Sequence, residues 1–73
     1  MKYAFSYGNH NRFPDTSGPY DSLVEAVDAA SEMFELGAEA YRTLKRNEYL
    51  DLGPKYGADY VEIFTVDADW RAE

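Results

Sequence analysis

Acidic side chains recur at helical spacing in the first half of the chain. They are separated by three, four, three and four residues, and they are Glu25, Asp28, Glu32, Glu35 and Glu39. Residues three and four apart are neighbours on a helix surface, with Cβ atoms about 5–6 Å apart. The spacing therefore predicts one stripe of carboxylates, here called the acidic ridge, provided that the helix continues past Gly37 far enough to carry Glu39.

The acidic ridge is suited to binding rather than to catalysis. Carboxylates in a row on a rigid helix do not converge on one point, so we expect no calcium or magnesium cage and no cofactor. The single histidine, His10, lies in a segment rich in Gly, Asn and Pro. The sequence has no nucleophile elbow, phosphate-binding loop or zinc-ligand spacing, and it therefore predicts a protein that is not an enzyme.

The length of the acidic ridge indicates what it could bind. Fourteen residues of helix span about 21 Å, and one DNA strand carries about six phosphates in that length. The five carboxylates of the ridge nearly match this density. A groove lined with Arg and Lys, of the kind that holds a nucleic-acid backbone, is therefore the predicted partner. The alternative is a solvated helix face on a protein that is acidic for other reasons.

The acidic ridge is expected to destabilise its own helix. Each neighbouring like-charge pair costs about 0.2–0.5 kcal/mol, so four pairs cost roughly 1–2 kcal/mol at low salt. No Lys or Arg lies between Arg12 and Arg42 to offset this repulsion. The helix dipole explains an acid at Glu25, near the start of the helix, but not acids toward its end. The uncompensated repulsion favours a role in binding.

Composition bounds the class of protein. The chain has 73 residues and is expected to form one domain, 1–73, and its 14 acidic and 7 basic residues give a net charge of −7. Aromatic residues make up 16% of the chain, which argues against disorder. The negative charge opposes direct binding to nucleic acid or to anionic membranes. With no cysteine and no apolar run of about 20 residues, we expect a cytoplasmic protein.

The elements that position the acidic ridge can be predicted from patterns. Residues 2–7 alternate non-aromatic and aromatic side chains, which predicts a strand, and residues 8–20 are rich in Gly, Pro and Asn, which predicts a long loop. A helix is predicted over 22–36. It begins with a capping box, Ser22 with Glu25, and Gly37 is the candidate residue that ends it.

The second half of the chain is less clear. Residues 38–52 fit a helix, near 38–50, or a hairpin; the abundance of Ala, Leu, Arg, Lys and Glu favours the helix. Residues 59–66 alternate clearly and predict a second strand, after which Trp70 is expected to fold back on the body. The predicted fold is therefore α+β in two layers, with an antiparallel sheet packed against the helices.

The seven tyrosines exceed what a small core can hide. Some should lie at the surface, where tyrosine is a frequent anchor for binding. The candidates for exposure are Tyr20, Tyr41, Tyr49 and Tyr56. A tyrosine beside a carboxylate suits an arginine partner, because stacking adds to the ion pair. Tyr41 is therefore predicted to join the acidic ridge in binding.

In overall character the chain resembles the small acidic proteins with which phages disarm bacterial defence, namely anti-CRISPR proteins and anti-restriction DNA mimics. The resemblance rests on short length, lack of cysteine and acidity, and on no sequence motif. It implies a phage-encoded inhibitor, a monomer or homodimer in the host cytoplasm, that occupies a basic nucleic-acid-binding groove. The alternative is a protein–protein interaction or regulatory module that uses its aromatic surface without nucleic-acid mimicry.

Overall fold

A computed structural model describes residues 1–9, 14–53 and 56–70 and shows the predicted α+β class. His10 and Arg12 lie outside the described residues. The described elements, in chain order, are β1 (Lys2–Gly8), β2 (Asp15–Tyr20), α1 (Leu23–Phe34), α2 (Ala38–Asn47), β3 (Tyr49–Gly53) and β4 (Ala58–Val66). The strands form one antiparallel sheet in the order β2-β1-β4-β3. Neither of these helices is long and apolar enough to span a bilayer.

The central pair of strands, β1 and β4, places the core on one face of the sheet. Phe5 lies opposite Ile63, and Tyr7 lies opposite Val61. Phe5 and Val61 are fully buried, and Ile63 is nearly so. Because side chains alternate along a strand, the neighbouring residues point to the opposite face, here called the open face, which neither helix covers. The alternation predicted for both strands is confirmed.

The helix α1 covers the core face through small and aromatic residues. Its buried side chains are Ala26, Val27, Ala30 and Phe34. α1 packs across β1, β2 and β4, whereas α2 packs against α1 and β3. The predicted start of α1 is confirmed, since Ser22 is its N-cap and accepts a hydrogen bond from the Glu25 N–H. The predicted end is wrong, because α1 stops at Phe34 and Glu35, not Gly37, takes the left-handed conformation.

The prediction of a loop over 8–20 is wrong for residues 15–20, which form β2. Gly18 and Pro19 hid this strand, but β2 is an edge strand, where proline is tolerated because one side of the backbone needs no partner. The register slips here: two residues of β2, Gly18 and Pro19, lie opposite Ala4 alone, which is the geometry of a bulge. The peptide bond between Gly18 and Pro19 is cis.

The segment 38–52 contains both of the structures that its sequence suggested. The preferred helix is confirmed over 38–47, but its extension to residue 50 is wrong because the chain turns at Glu48, which has φ 60°. The residues that follow form β3, which pairs with β4. The ring of Trp70 packs edge-on against Phe64, with centroids 6.0 Å apart, so the predicted return of Trp70 to the body is confirmed.

We expect Gly18→Ala to lower the free energy of unfolding by about 1–3 kcal/mol. A Cβ at this position would lie 2.9 Å from the Cβ of Ala4, and the backbone φ of +145° disfavours any side chain. The matched control is Gly53→Ala, because a Cβ there meets nothing within 4 Å. Urea unfolding of the two variants checks this prediction. Equal stability losses would show that the close approach of β2 to β1 carries no strain.

Candidate partner-binding surface

Three members of the acidic ridge lie on one side of α1. Glu25, Asp28 and Glu32 are all exposed. At 3.6 residues per turn their directions around the helix axis fall within about 60° of one another, opposite the buried stripe. This part of the acidic ridge, here called the α1 carboxylates, has the single direction that the sequence predicted.

Glu25 also has a structural role at the start of α1. The Glu25 N–H donates to Oγ of Ser22 at 3.1 Å, and Oε2 of Glu25 accepts from the backbone N–H of Asp21 at 3.0 Å. The predicted capping box therefore forms, with the returning bond made to the residue before the N-cap. Part of the negative charge of α1 is thus explained by its own N-terminus.

Asp28 joins the two helices through Tyr41. The phenol O–H of Tyr41 donates to Oδ1 of Asp28 at 2.5 Å. This hydrogen bond raises the pKa of Tyr41 above its usual value. Partial burial and the negative charge of Asp28 raise it further. The structure thus brings together two residues that the sequence placed in the same site, but it uses their polar atoms in a contact within the chain.

The last two members of the acidic ridge do not continue the stripe. Glu35 follows the end of α1 in the left-handed region, with φ 53°, and lines a shallow depression of about 380 Å³ with Met33, Phe34 and Tyr56. Glu39 lies in the first turn of α2, so the condition that one helix carries all five acids is not met. The expectation that Glu39 opposes its helix dipole is also wrong, because an acid is favourable in a first turn.

The exposed side of α2 is basic rather than acidic. Arg42, Lys45 and Arg46 are exposed, and Lys45 and Arg46 lie in the last turn, where the helix dipole favours cations. Glu39 shares a depression of about 430 Å³ with Arg42 and Arg46. Negative and positive charge are therefore separated, with carboxylates on α1 and cations on α2.

The α1 carboxylates have no cationic partner within the described part of the chain. The ion pair found there joins Nζ of Lys2 to Oδ1 of Asp21 at 2.6 Å, before the helix begins. Lys2 lowers the pKa of Asp21, first through this hydrogen bond and then through its charge. Among the described residues, Glu25, Asp28 and Glu32 therefore have no cation that neutralises them.

The predicted exposure of four tyrosines is not found. Tyr20, Tyr41 and Tyr56 are half-buried and pack against the core, and the ring of Tyr20 stacks on Phe5 with centroids 5.8 Å apart. Tyr49 is also half-buried but lies on the open face, stacked on Tyr60 with centroids 6.1 Å apart.

Sequence reasoning missed two carboxylates of the open face. Asp51 accepts a hydrogen bond of 2.9 Å from the Tyr49 hydroxyl, and Glu62 lies opposite Tyr49 in the sheet. The signal was the alternation of β4, which placed Tyr60 and Glu62 on one face. The missing information was that β3 is a strand and brings Tyr49 and Asp51 beside them.

No group of three or more potential metal ligands occurs among residues 1–9, 14–53 and 56–70. Comparison of the chain with protein families, with curated proteins and with solved structures finds no match.

We expect Ser22→Ala to destabilise the protein by about 1 kcal/mol, because the Glu25 N–H loses its acceptor at the start of α1. Glu25→Gln is the matched variant, since glutamine also serves in a capping box and keeps an oxygen for the Asp21 N–H. It should retain more of the stability. Thermal unfolding of both variants tests this. If Ser22→Ala unfolds at the same temperature as the wild type, the cap contributes nothing to stability.

We expect Asp28→Asn to lower the pKa of Tyr41 toward the ordinary value of a tyrosine, because the anionic acceptor of its hydrogen bond is lost. A tyrosine pKa that is raised by folding stabilises the fold below the unfolded pKa, and this stability is lost as pH rises through the folded pKa. The wild type should therefore lose more stability than the variant in strong alkali.

Nuclear magnetic resonance of ¹³C-labelled tyrosine measures the pKa of Tyr41 in both proteins. Urea unfolding at pH about 8 and about 11 measures the stability difference. Tyr41→Phe is the control that removes the titrating group. An unchanged pKa in Asp28→Asn would place the Tyr41 hydroxyl away from Asp28 in solution.

Proposed function

We propose that this chain is a non-enzymatic binding protein that presents the α1 carboxylates to a basic, nucleic-acid-binding surface of a partner protein. The observation that carries the proposal is the common direction of Glu25, Asp28 and Glu32, without a cation to neutralise them in the described residues. Glu25 caps the start of α1 and Asp28 binds Tyr41, but neither contact removes the mutual repulsion of the three carboxylates. A cationic groove would relieve that repulsion.

The row of carboxylates on α1 is shorter than the acidic ridge that the sequence predicted. The α1 carboxylates span eight residues, or about 10 Å of helix, which corresponds to about three phosphates of one DNA strand. Glu32 lies in the last turn of α1, where the helix dipole disfavours an anion, so a local explanation fails for this residue. The α1 carboxylates would therefore occupy a short section of a groove, and Glu35 would extend it at the helix end.

The α2 cations set the orientation of such a complex. Arg42, Lys45 and Arg46 would be repelled by the basic groove that attracts α1. The groove must therefore meet α1 from the side away from α2, with Tyr41 at the boundary between the two helices. An inhibitor of this kind, encoded by a phage and acting in the bacterial cytoplasm, accounts for the surface and for the net charge of −7.

A second candidate function is an interaction module that uses aromatic side chains. It is supported by the stacked pair Tyr49 and Tyr60 on the open face, which is on the opposite side of the sheet from α1. Here apolar contact, rather than charge alone, would supply the affinity, and salt would have little effect.

We expect Glu32→Lys with Glu35→Lys to abolish capture of the partner while leaving the fold intact. Immobilised protein is exposed to bacterial lysate at low and high salt, with and without excess duplex DNA. The wild type should retain nucleic-acid-binding proteins that high salt or duplex DNA displaces. Two lysines near the end of α1 should, if anything, stabilise the helix through its dipole.

The matched control is Asp67→Lys with Asp69→Lys, which changes the net charge equally at exposed positions after β4. It should bind as the wild type does. Equal loss in both double variants would reduce the effect to net charge. If the Glu32 and Glu35 variant still captures the partner, the α1 carboxylates do not bind it.

A further inference from the structure

The open face carries two tyrosines and two carboxylates in a square formed by β3 and β4. Tyr49 lies opposite Glu62, and Asp51 lies opposite Tyr60. Directly opposed residues on a sheet have Cβ atoms about 4.5–5.5 Å apart, so all four side chains are neighbours. This group of Tyr49, Asp51, Tyr60 and Glu62 is here called the open-face patch.

The strand alternation places the open-face patch away from the core. Leu50 and Val61, the residues between its members, belong to the core or pack against it. Asp51 and Glu62 are exposed, while Tyr49 and Tyr60 are half-buried. The helices lie on the other face, so neither α1 nor α2 covers these side chains.

The two diagonals of the square bring like side chains together. The rings of Tyr49 and Tyr60 are nearly parallel, with an interplanar angle of 10° and centroids 6.1 Å apart. Asp51 and Glu62 form the other diagonal and therefore flank the stacked rings on both sides. The stacking and the hydrogen bond from Tyr49 to Asp51 define the relative positions of the two rings and one carboxylate.

The electrostatic potential over the open-face patch is negative. Asp51 and Glu62 have no cationic partner in the described part of the chain, where Lys2 and Asp21 form the ion pair. Three effects raise the pKa of Tyr49. The largest is its hydrogen bond to Asp51, and partial burial and the negative charges of Asp51 and Glu62 add to it.

We propose that the open-face patch binds an arginine side chain of a partner protein, with the guanidinium group stacked on the tyrosine pair and paired to Asp51 or Glu62. The planar, weakly hydrated guanidinium stacks on aromatic rings and meets a carboxylate through two parallel hydrogen bonds. An ammonium group can make the ion pair but cannot stack. Charge complementarity and ring geometry therefore favour arginine over lysine.

This site is independent of the proposed role of α1, because it lies on the opposite face of the sheet and uses no residue of the acidic ridge. Its test does not require the natural partner. The probe is an acetylated and amidated Arg-Gly-Arg-Gly-Arg peptide, and the matched probe replaces each arginine by lysine. Titration followed by ¹H–¹⁵N nuclear magnetic resonance gives both the dissociation constant and the residues that contact the peptide.

We expect the arginine peptide to shift the amide signals of β3 and β4 and to bind several-fold more tightly than the lysine peptide. Asp51→Asn with Glu62→Gln keeps the shapes and removes both charges, and it should weaken binding at least tenfold. Tyr49→Leu should weaken binding roughly threefold, because stacking of the cation is lost. Tyr49→Phe keeps the ring and should bind within about twofold of the wild type.

The matched control is Asp67→Asn with Asp69→Asn, which removes two charges at exposed positions after β4 and should leave peptide binding within about twofold of the wild type. Circular dichroism verifies that each variant folds. The proposal is overturned if the shifts map to α1, or if neutralising the open-face carboxylates leaves the affinity unchanged. Concentration-dependent self-association that fills the patch with Arg42 or Arg46 of a second copy would also overturn it.

Discussion

The register of β1 on β4 determines which side chains this protein can offer to a partner. Because Phe5 lies opposite Ile63 and Tyr7 lies opposite Val61, these side chains project to the same face, and α1 covers that face. Both helices contribute to the core on that one face. The alternate residues are left on an open face, which gains Tyr49 and Asp51 when β3 joins the edge. A slip of one residue would exchange the core and the open face.

The end of α1 determines how charge is distributed. Phe34 is the last residue of the helix and is buried, and the next residue, Glu35, leaves the helix in the left-handed region. The reversal into α2 interrupts the row of acids after Glu32 and gives Glu39 a favourable place near the start of the next helix. The same reversal presents Arg42, Lys45 and Arg46 on a separate surface. The change of direction between α1 and α2 thus replaces the continuous acidic row with an acidic region on α1 and a basic region on α2.

The parts of the fold that depend on local pattern were predictable from sequence. β1, β4, the start of α1 and the existence of α2 followed from alternation, from the capping box and from helix-forming residues. β2 was missed because Gly18 and Pro19 disfavour a strand. They are tolerated here because β2 lies at the edge of the sheet and because the small side chain of Ala4 allows Gly18 to approach closely. Both conditions depend on the tertiary structure and cannot be read from the local sequence. The common direction of Glu25, Asp28 and Glu32 followed from helical spacing. The sequence did not predict that Glu39 would be separated from these three acids. That separation depends on whether α1 ends at Phe34 or continues for a few more residues.

The positions of the two surfaces constrain any complex that uses both. The α1 carboxylates point away from the sheet on one side, and the open-face patch points away on the other, with at least the thickness of a helix, about 10 Å, between them. A single flat basic surface can therefore meet one of them but not both. A partner that engages both must enclose the molecule in a cleft, whereas separate partners could bind at the same time. The α1 carboxylates are exposed and sensitive to screening by salt, and the patch adds ring contacts that salt does not screen. Contributions from the two surfaces would consequently differ in salt dependence, which is the physical property that distinguishes an electrostatic mimic from an aromatic interaction module in the same chain.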